Sequence, residues 1–396
     1  DQMSAAAFED PEELIPRKET TYTDYLYPQP LADGRVVALK SGIGHFDQLI
    51  TIHPDGSEEV VHIPGVFNDV GMLSARKNQI VYTEFQFDPR WRERTYSVLK
   101  VHDLSTGKTR QLSRKTRFQG GDLSPDGSKI VTLESTVRQQ HNLLVLDASN
   151  GTRLNTLRNV GNGYYTSPRW SNDGKYIVAV KQNSNEKHLI AYDYLNNSEE
   201  IIYTGRDENI SHAVMYDSLV FYNSPLNGID NIYVYNLVNQ QRYMVTKSKY
   251  GAYNPAVSAD GQWLYYNEHR LNGMDVVKIP LQYNWEYIEE VPDQVVDYFE
   301  PLLEEESGGL PDSLETVPYP VKRYSKAGHM FNIHSWGLLA TTTQNSIDVG
   351  LNSRDVIKTT QLTGGYRYDL TENTGLVYGQ VSYQGLYPII DVGCLL

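Results

Sequence analysis

An Asp-Gly pair followed by alternating small, basic and β-branched residues recurs along this chain, and it limits the possible folds more than any other feature. It stands at Asp33-Gly34 in LADGRVVAL, Asp126-Gly127 in SPDGSKIVTL, Asp173-Gly174 in SNDGKYIVAV and Asp260-Gly261 in SADGQWLYYN. The gaps between the aspartates are 93, 47 and 87, a period of about 45 with two members missing. Degenerate copies lie where those members should fall: SARKNQIVYTE around Asn78 and MYDSLVFYN around Asp217. That makes six units.

Each unit has the same internal order. A short strand enters the turn, a second leaves it, and a third follows a variable loop, as in QLITIHP, SVLKVHDL, NLLVLDA, HLIAYDY, NIYVYNL and DVVKIPL. Polar turns such as DLSTGK then lead to a fourth strand. Asp-Gly suits a type I′ hairpin turn, which needs positive φ at both central residues, and that turn type is expected here. Four strands per unit and six units predict an all-β, six-bladed β-propeller with a C-terminal linker and a few extra antiparallel strands.

The expected boundaries follow. Residues 25–283 form the ring, and residues 1–24 complete its last blade. Either ETTYTDYL (19–26) or WEYIEEV (285–291) supplies the missing outer strand, and the N-terminal segment is favoured. Residues 284–325 read as an acidic Pro/Gly linker with one short helix over 294–305. Its run Glu304-Glu305-Glu306 reads as solvated, mutually repelling charge.

Residues 326–396 change character. Thr360, Leu362, Gly364, Tyr366, Tyr368 and Leu370 alternate onto one face, TENT turns, and Val377, Gly379, Val381 and Tyr383 share a face of the returning strand. Segments of this kind occur in outer-membrane barrels and equally in soluble hairpins. About three such strands are expected, too few to close a barrel of at least eight.

The formal net charge of −14 argues against nucleic acid, whose phosphates need a basic surface. The single cysteine, Cys394, excludes an intrachain disulfide and a thiolate metal cluster. No apolar run approaches the roughly 20 residues of a spanning helix. The chain opens on Asp1 with no signal peptide before it, and is expected to be a processed or excised piece of a longer one.

No HExxH, CxxC, Walker or dinucleotide-binding pattern occurs. Ser382 in GQVSYQG approximates a nucleophile elbow, but Gln380 stands where glycine is required and the segment alternates like a strand. His329 and His334, five apart, share neither a helical nor a strand face. His45, His53 and His62 belong to the first unit, and Asp55 sits in a turn. No catalytic residue, metal ligand set or cofactor is predicted.

Surface loops remain. The longest, residues 84–97, carries Phe85, Phe87, Arg90, Trp91, Arg92 and Arg94, residue types enriched in interface hot spots. Phe87, Arg90, Trp91, Arg92 and Arg94 are predicted to touch a partner. Tyr164, Tyr165 and Tyr253, in GNGYYTSPRW and KYGAYNPAV, lie near a predicted face and either join them or pack between blades.

SPDGSKIV, SNDGKYIVAV and SADGQWLYY resemble the TolB-type WD40-like repeat over about residues 25–283, with departures in units two and five. The resemblance implies a six-bladed propeller, commonly periplasmic or extracytoplasmic, that binds proteins through its faces and funnel. SKAGHMFNIHSW and GYRYDLTENTG…SYQGLYP resemble the propeller-to-barrel junction and first strands of Omp85/surface-antigen-like envelope proteins of Bacteroidetes-type bacteria, over roughly 321–393. The joint expectation is a non-catalytic protein-binding or scaffolding propeller of the periplasm or outer membrane. Its partners are envelope proteins, with outer-membrane contact through the C-terminal segment. The alternatives are the accessory propeller of a hydrolase or peptidase whose catalytic domain lies elsewhere, and a carbohydrate-binding propeller.

Overall fold

A computed structural model describes residues 10–17, 21–68, 72–91, 93–183, 186–206, 208–282, 284–288, 300–305, 319–339 and 345–396. The chain divides into two compact units, Asp1–Val295 and Val296–Leu396. The first holds six antiparallel sheets and is a six-bladed β-propeller.

The third and fourth blades show the plan. Phe118–Leu123, Lys129–Ser135, His141–Asp147 and Arg153–Leu157 pair in chain order, then Tyr164–Trp170, Tyr176–Asn183, Glu186–Asp193 and Ser198–Arg206 do the same. The innermost strands of the six blades neighbour one another in sequence, and the last, Ala252–Val257, meets the first, Thr23–Pro30. That contact closes the ring.

The core lies between blades. Val131, Leu133 and Leu143 of the third pack with Tyr165, Trp170 and Ile177 of the fourth. Tyr25, Val36, Ile50 and Ile52 of the first pack with Ala256, Tyr265 and Val276 of the sixth. Middle strands are covered on both faces, so runs such as Leu143-Leu144-Val145-Leu146 are apolar throughout and show no two-residue period. Each such side chain contributes roughly 1.5–3 kcal/mol by leaving water.

The turns correct one expectation. At all four Asp-Gly sites only the glycine has positive φ (Gly34 87°, Gly127 76°, Gly174 73°, Gly261 69°). Each glycine N–H donates three residues back, to Leu31, Ser124, Ser171 or Ser258. This is a type I turn closed by a left-handed glycine. The aspartate works through its side chain instead: Asp126 accepts from the Ser128 N–H at 3.1 Å and from the Ser124 hydroxyl at 2.5 Å. Ser124 Oγ in turn accepts the Lys129 N–H, and Ser171 and Ser258 repeat the arrangement. These bonds to the charged form hold the Asp126 carboxyl well below the usual carboxylate range. The type I′ geometry occurs where Asp-Gly is missing, at Lys77 (47°) and Asn78 (58°).

The N-terminal segment supplies the missing outer strand, though not through ETTYTDYL. The outer strand of the sixth sheet is Glu12–Glu13, paired with Lys278 and Val277. Of ETTYTDYL, Thr23 onward forms the innermost strand of the first blade. Glu286–Tyr287, from WEYIEEV, pairs with Met244 and Tyr243 on the outside of the fifth blade. Arg17 fastens the N-terminal segment, donating to the Asp275 carboxylate at 2.6 Å and to the carbonyls of Thr23, Asn272 and Met274.

The second unit holds a helix, Glu300–Glu305, and a five-stranded antiparallel meander: Ile333–Leu338, Ser346–Arg354, Thr360–Asp369, Thr374–Tyr383 and Ile390–Leu395. The rest of the predicted 294–305 helix lies outside the described residues, as does Glu306. The sheet has five strands where three were expected. Direct cross-strand neighbours put Leu338, Val349, Tyr366 and Val377 on one face, with Trp336, Leu351, Leu362, Val381 and Val392 beside them. The other face carries Asp348, Asn352, Arg367, Thr363, Gln380 and Asp391 in the same register. Among the described residues no helix is long and apolar enough to cross a membrane.

Candidate functional site: the funnel of the propeller

Every innermost strand breaks its regularity at one equivalent point. Tyr27, Met72, Gly120, Ser167, His212 and Asn254 all have positive φ, and in five of the six strands the pairing register shifts there. A β-bulge of this kind re-aims the side chains that follow it. Two residues further on stand Gln29, Ser74, Asp122, Arg169, Val214 and Ala256, one per blade.

Four of these six are polar, and they bond to one another. Ser74 Oγ donates to Asp122 Oδ1 at 2.5 Å, and Arg169 donates to the same oxygen at 3.2 Å. The Trp170 N–H donates to Asp122 Oδ2 at 2.7 Å. The remaining Arg169 donors reach the Leu73 carbonyl at 2.7 Å and Gln29 Oε1 at 3.4 Å. Asp122 and Arg169 are both buried. Burial pulls the Arg169 pKa below its ordinary value, against the opposing field of Asp122.

Gln29, Arg169, Val214 and Pro255 border two spaces and form a septum between them. On the side of the Asp-Gly turns the funnel opens into a depression of about 320 Å³. Its wall is mostly aliphatic, with Leu31, Ala75, Met215, Pro255 and Ala259, and one sector is cationic, with Arg76 and Lys77. Beyond the septum is a void of about 10 Å³ lined by Tyr27, Met72, His212 and Asn254, near the room that one water needs. Asn254 Oδ1 is buried there without a partner among the described residues.

His212 borders that void in its neutral form, because burial, reinforced by Arg169, pushes its pKa down to about 4. Asn223 directs its amide NH2 to Ser211 at 2.7 Å and turns its carbonyl oxygen to His212 Nδ1 at 3.2 Å. Nδ1 therefore carries the proton, and Nε2 is left as an acceptor.

The residues singled out from sequence lie elsewhere. Antiparallel pairing puts the Asp-Gly turns on one face and the loops between second and third strands on the other. Phe87 ends the second strand of its blade and Arg90, Trp91 and Arg94 follow in such a loop, so they are on the face opposite the depression. They are held together: Asp88 accepts the N–H groups of Arg90 and Trp91 at 2.9 and 3.0 Å, and the Arg90 guanidinium lies 4.2 Å over the Trp91 ring. Arg92 lies outside the described residues. Tyr164 donates to Gln119 at 2.6 Å, and burial, with Asp230 beside it, raises the Tyr253 pKa. Tyr165 is only 2% exposed; it packs between the third and fourth blades, bonded to Glu199 at 2.5 Å, and is off the surface.

None of the funnel residues is among those expected from the sequence, though a signal exists. Aligned on the turn, the position four before Asp33, Asn78, Asp126, Asp173 and Asp260 reads Gln29, Ser74, Asp122, Arg169 and Ala256. Xaa-Pro at 27–28, 167–168 and 254–255 marks the bulge in three blades.

No family model matches the chain, and no curated protein matches it. Among solved structures, it is similar to TolB from Acinetobacter baumannii, at 14% identity over 69% of this chain and 66% of that one, with a TM-score of 0.47. The chain thus spans just under two thirds of that protein. It is also similar to an oligogalacturonate lyase in complex with manganese (15%; 70% and 96% covered; TM-score 0.47). The β-propeller domain of the Trilobed protease from Pyrococcus furiosus is a third (12%; 66% and 99%; 0.42). The propeller assignment itself rests on the strand pairing described above.

Proposed function

We propose that this chain is a non-catalytic protein-binding module of a bacterial cell-envelope protein, and that it holds its partner at the funnel mouth on the Asp-Gly face. One observation carries the reading. The mouth is a depression of about 320 Å³ with aliphatic walls and a cationic sector, the mixture of apolar bed and few polar anchors that binding sites use. The one carboxylate lining it among the described residues, Asp122, is already engaged by Ser74, Arg169 and the Trp170 N–H. The envelope part of the reading is supported by the C-terminal sheet. Its strands of up to 10 residues match the length a tilted membrane strand needs, and its apolar face suits outer-membrane lipid.

Site-specific photocrosslinking tests the reading. A benzophenone amino acid at Ala259, on the mouth, is expected to trap a discrete protein adduct in bacterial envelope preparations. The same probe at Val238, on an outer turn, is expected to trap none. Equal adducts from both positions, or none from Ala259, would count against the funnel as the binding face.

A further inference from the structure

We infer that the funnel mouth recognises a carboxylate on an apolar peptide segment, with Arg76 and Lys77 as its anchors. This deepens the protein-binding reading and rests on it. Among the described residues three cations line the mouth, Arg76, Lys77 and Arg169, against one carboxylate, Asp122. Asp122 and Arg169 satisfy each other. Arg76 keeps one long contact, to the Trp170 carbonyl at 3.4 Å. Lys77 makes no ion pair or hydrogen bond among the described residues.

The neighbouring acids do not neutralise this sector. Asp33 is paired with Arg35 at 2.7 Å, and the carboxylates of the neighbouring turns, Asp126, Asp217 and Asp260, make no ion pair with Arg76 or Lys77 and are not among the residues that line the cavity. Two adjacent cations with no ion-pair partner among the described residues, in a chain of net charge −14, therefore face a bed made of Leu31, Pro125, Met215 and Pro255. A single carboxylate flanked by aliphatic side chains matches both features. A polyanion does not, because the rest of the molecule repels it. The turn geometry holds the pair in place: Lys77 and Asn78 are the two left-handed residues of a two-residue turn, so neighbouring side chains enter the mouth from a rigid hairpin.

The carboxylate can come from a chain terminus or from an acidic side chain, and the experiment separates the two. Three fluorescein-labelled hexapeptides ending in Ala-Leu-Val are titrated against the full chain by anisotropy. One has a free terminus, one a carboxamide, and one a carboxamide with glutamate four residues from the end. The free acid, the glutamate form or both are expected to bind at least tenfold tighter than the plain carboxamide. That preference is expected to vanish in Arg76→Gln/Lys77→Asn, with an unchanged thermal melt. Asparagine keeps the left-handed turn residue.

Equal affinity of all three peptides, no binding by any at millimolar concentration, or a preference that survives the double variant would overturn the inference. If Ala259 adducts persist in that case, the protein-binding reading stands and only the carboxylate anchor falls.

Discussion

Arg169 and Asp122 occupy the same position in successive repeats, four residues before the turn aspartate, and meet at 3.2 Å across the boundary between the fourth and third blades. Through Ser74, Leu73 and Gln29 the same pair reaches the second and first blades. Four of the six sectors are thus joined at the axis by one hydrogen-bonded ion pair.

Removing one partner of that pair leaves the other charged and buried. Asp122→Ala is expected to cost on the order of 3–5 kcal/mol, read as a lower urea midpoint with an unchanged slope. Asp122→Asn keeps an acceptor for the Trp170 N–H and should lose less. If both variants melt like the parent, the pair does not hold the ring.

His212 gives the ring a pH dependence of definite sign. Its folded pKa is near 4 and its unfolded value about 6.5, so between these values only the unfolded chain takes up the proton. Stability is therefore full above about pH 6.5 and falls as the pH drops toward 4. His62 and His102, stacked at 4.8 Å and both shifted down by burial, add to the same trend. Denaturant titrations across this range should show a shallower fall for His212→Gln; an identical slope would remove His212 from the account.

Arg17 ties residues 12–17 to the last blade. Arg17→Ala leaves the buried Asp275 facing Arg270 alone at 3.8 Å, and should lower stability by on the order of 2 kcal/mol. Hydrogen exchange should speed up in Gly273–Pro280 well before it does in the middle strands of the third and fourth blades. Uniform exchange around the ring would argue that closure does not depend on this strap.

The two faces of the C-terminal sheet should respond differently to charge. Val349→Arg and Val381→Arg lie on the apolar face, and Gln380→Arg on the polar one. With vesicles of phosphatidylethanolamine and phosphatidylglycerol, the first two are expected to lose flotation and the third to keep it, since arginine on a lipid face costs about 2–4 kcal/mol at mid-depth. Loss in all three, or in none, would count against the proposed lipid contact.

The amino-acid sequence by itself determined the number of blades, their strand order and the turn positions. Those are local: an Asp-Gly pair, its serine two residues before the aspartate and a run of β-branched residues carry their own geometry within ten positions. The turn type was misjudged because Asp-Gly serves two hairpin geometries, and the choice depends on whether the aspartate adopts positive φ or instead caps the N–H two residues on. The short outer strand of the last blade, Glu12–Glu13, was illegible because two residues carry no periodicity. The funnel needed the tertiary structure. Gln29, Ser74, Asp122 and Arg169 are far apart in the chain, and only the closing of the ring, with a left-handed residue two positions before each of them, brings their polar groups within bonding distance and leaves Arg76 and Lys77 facing an apolar bed.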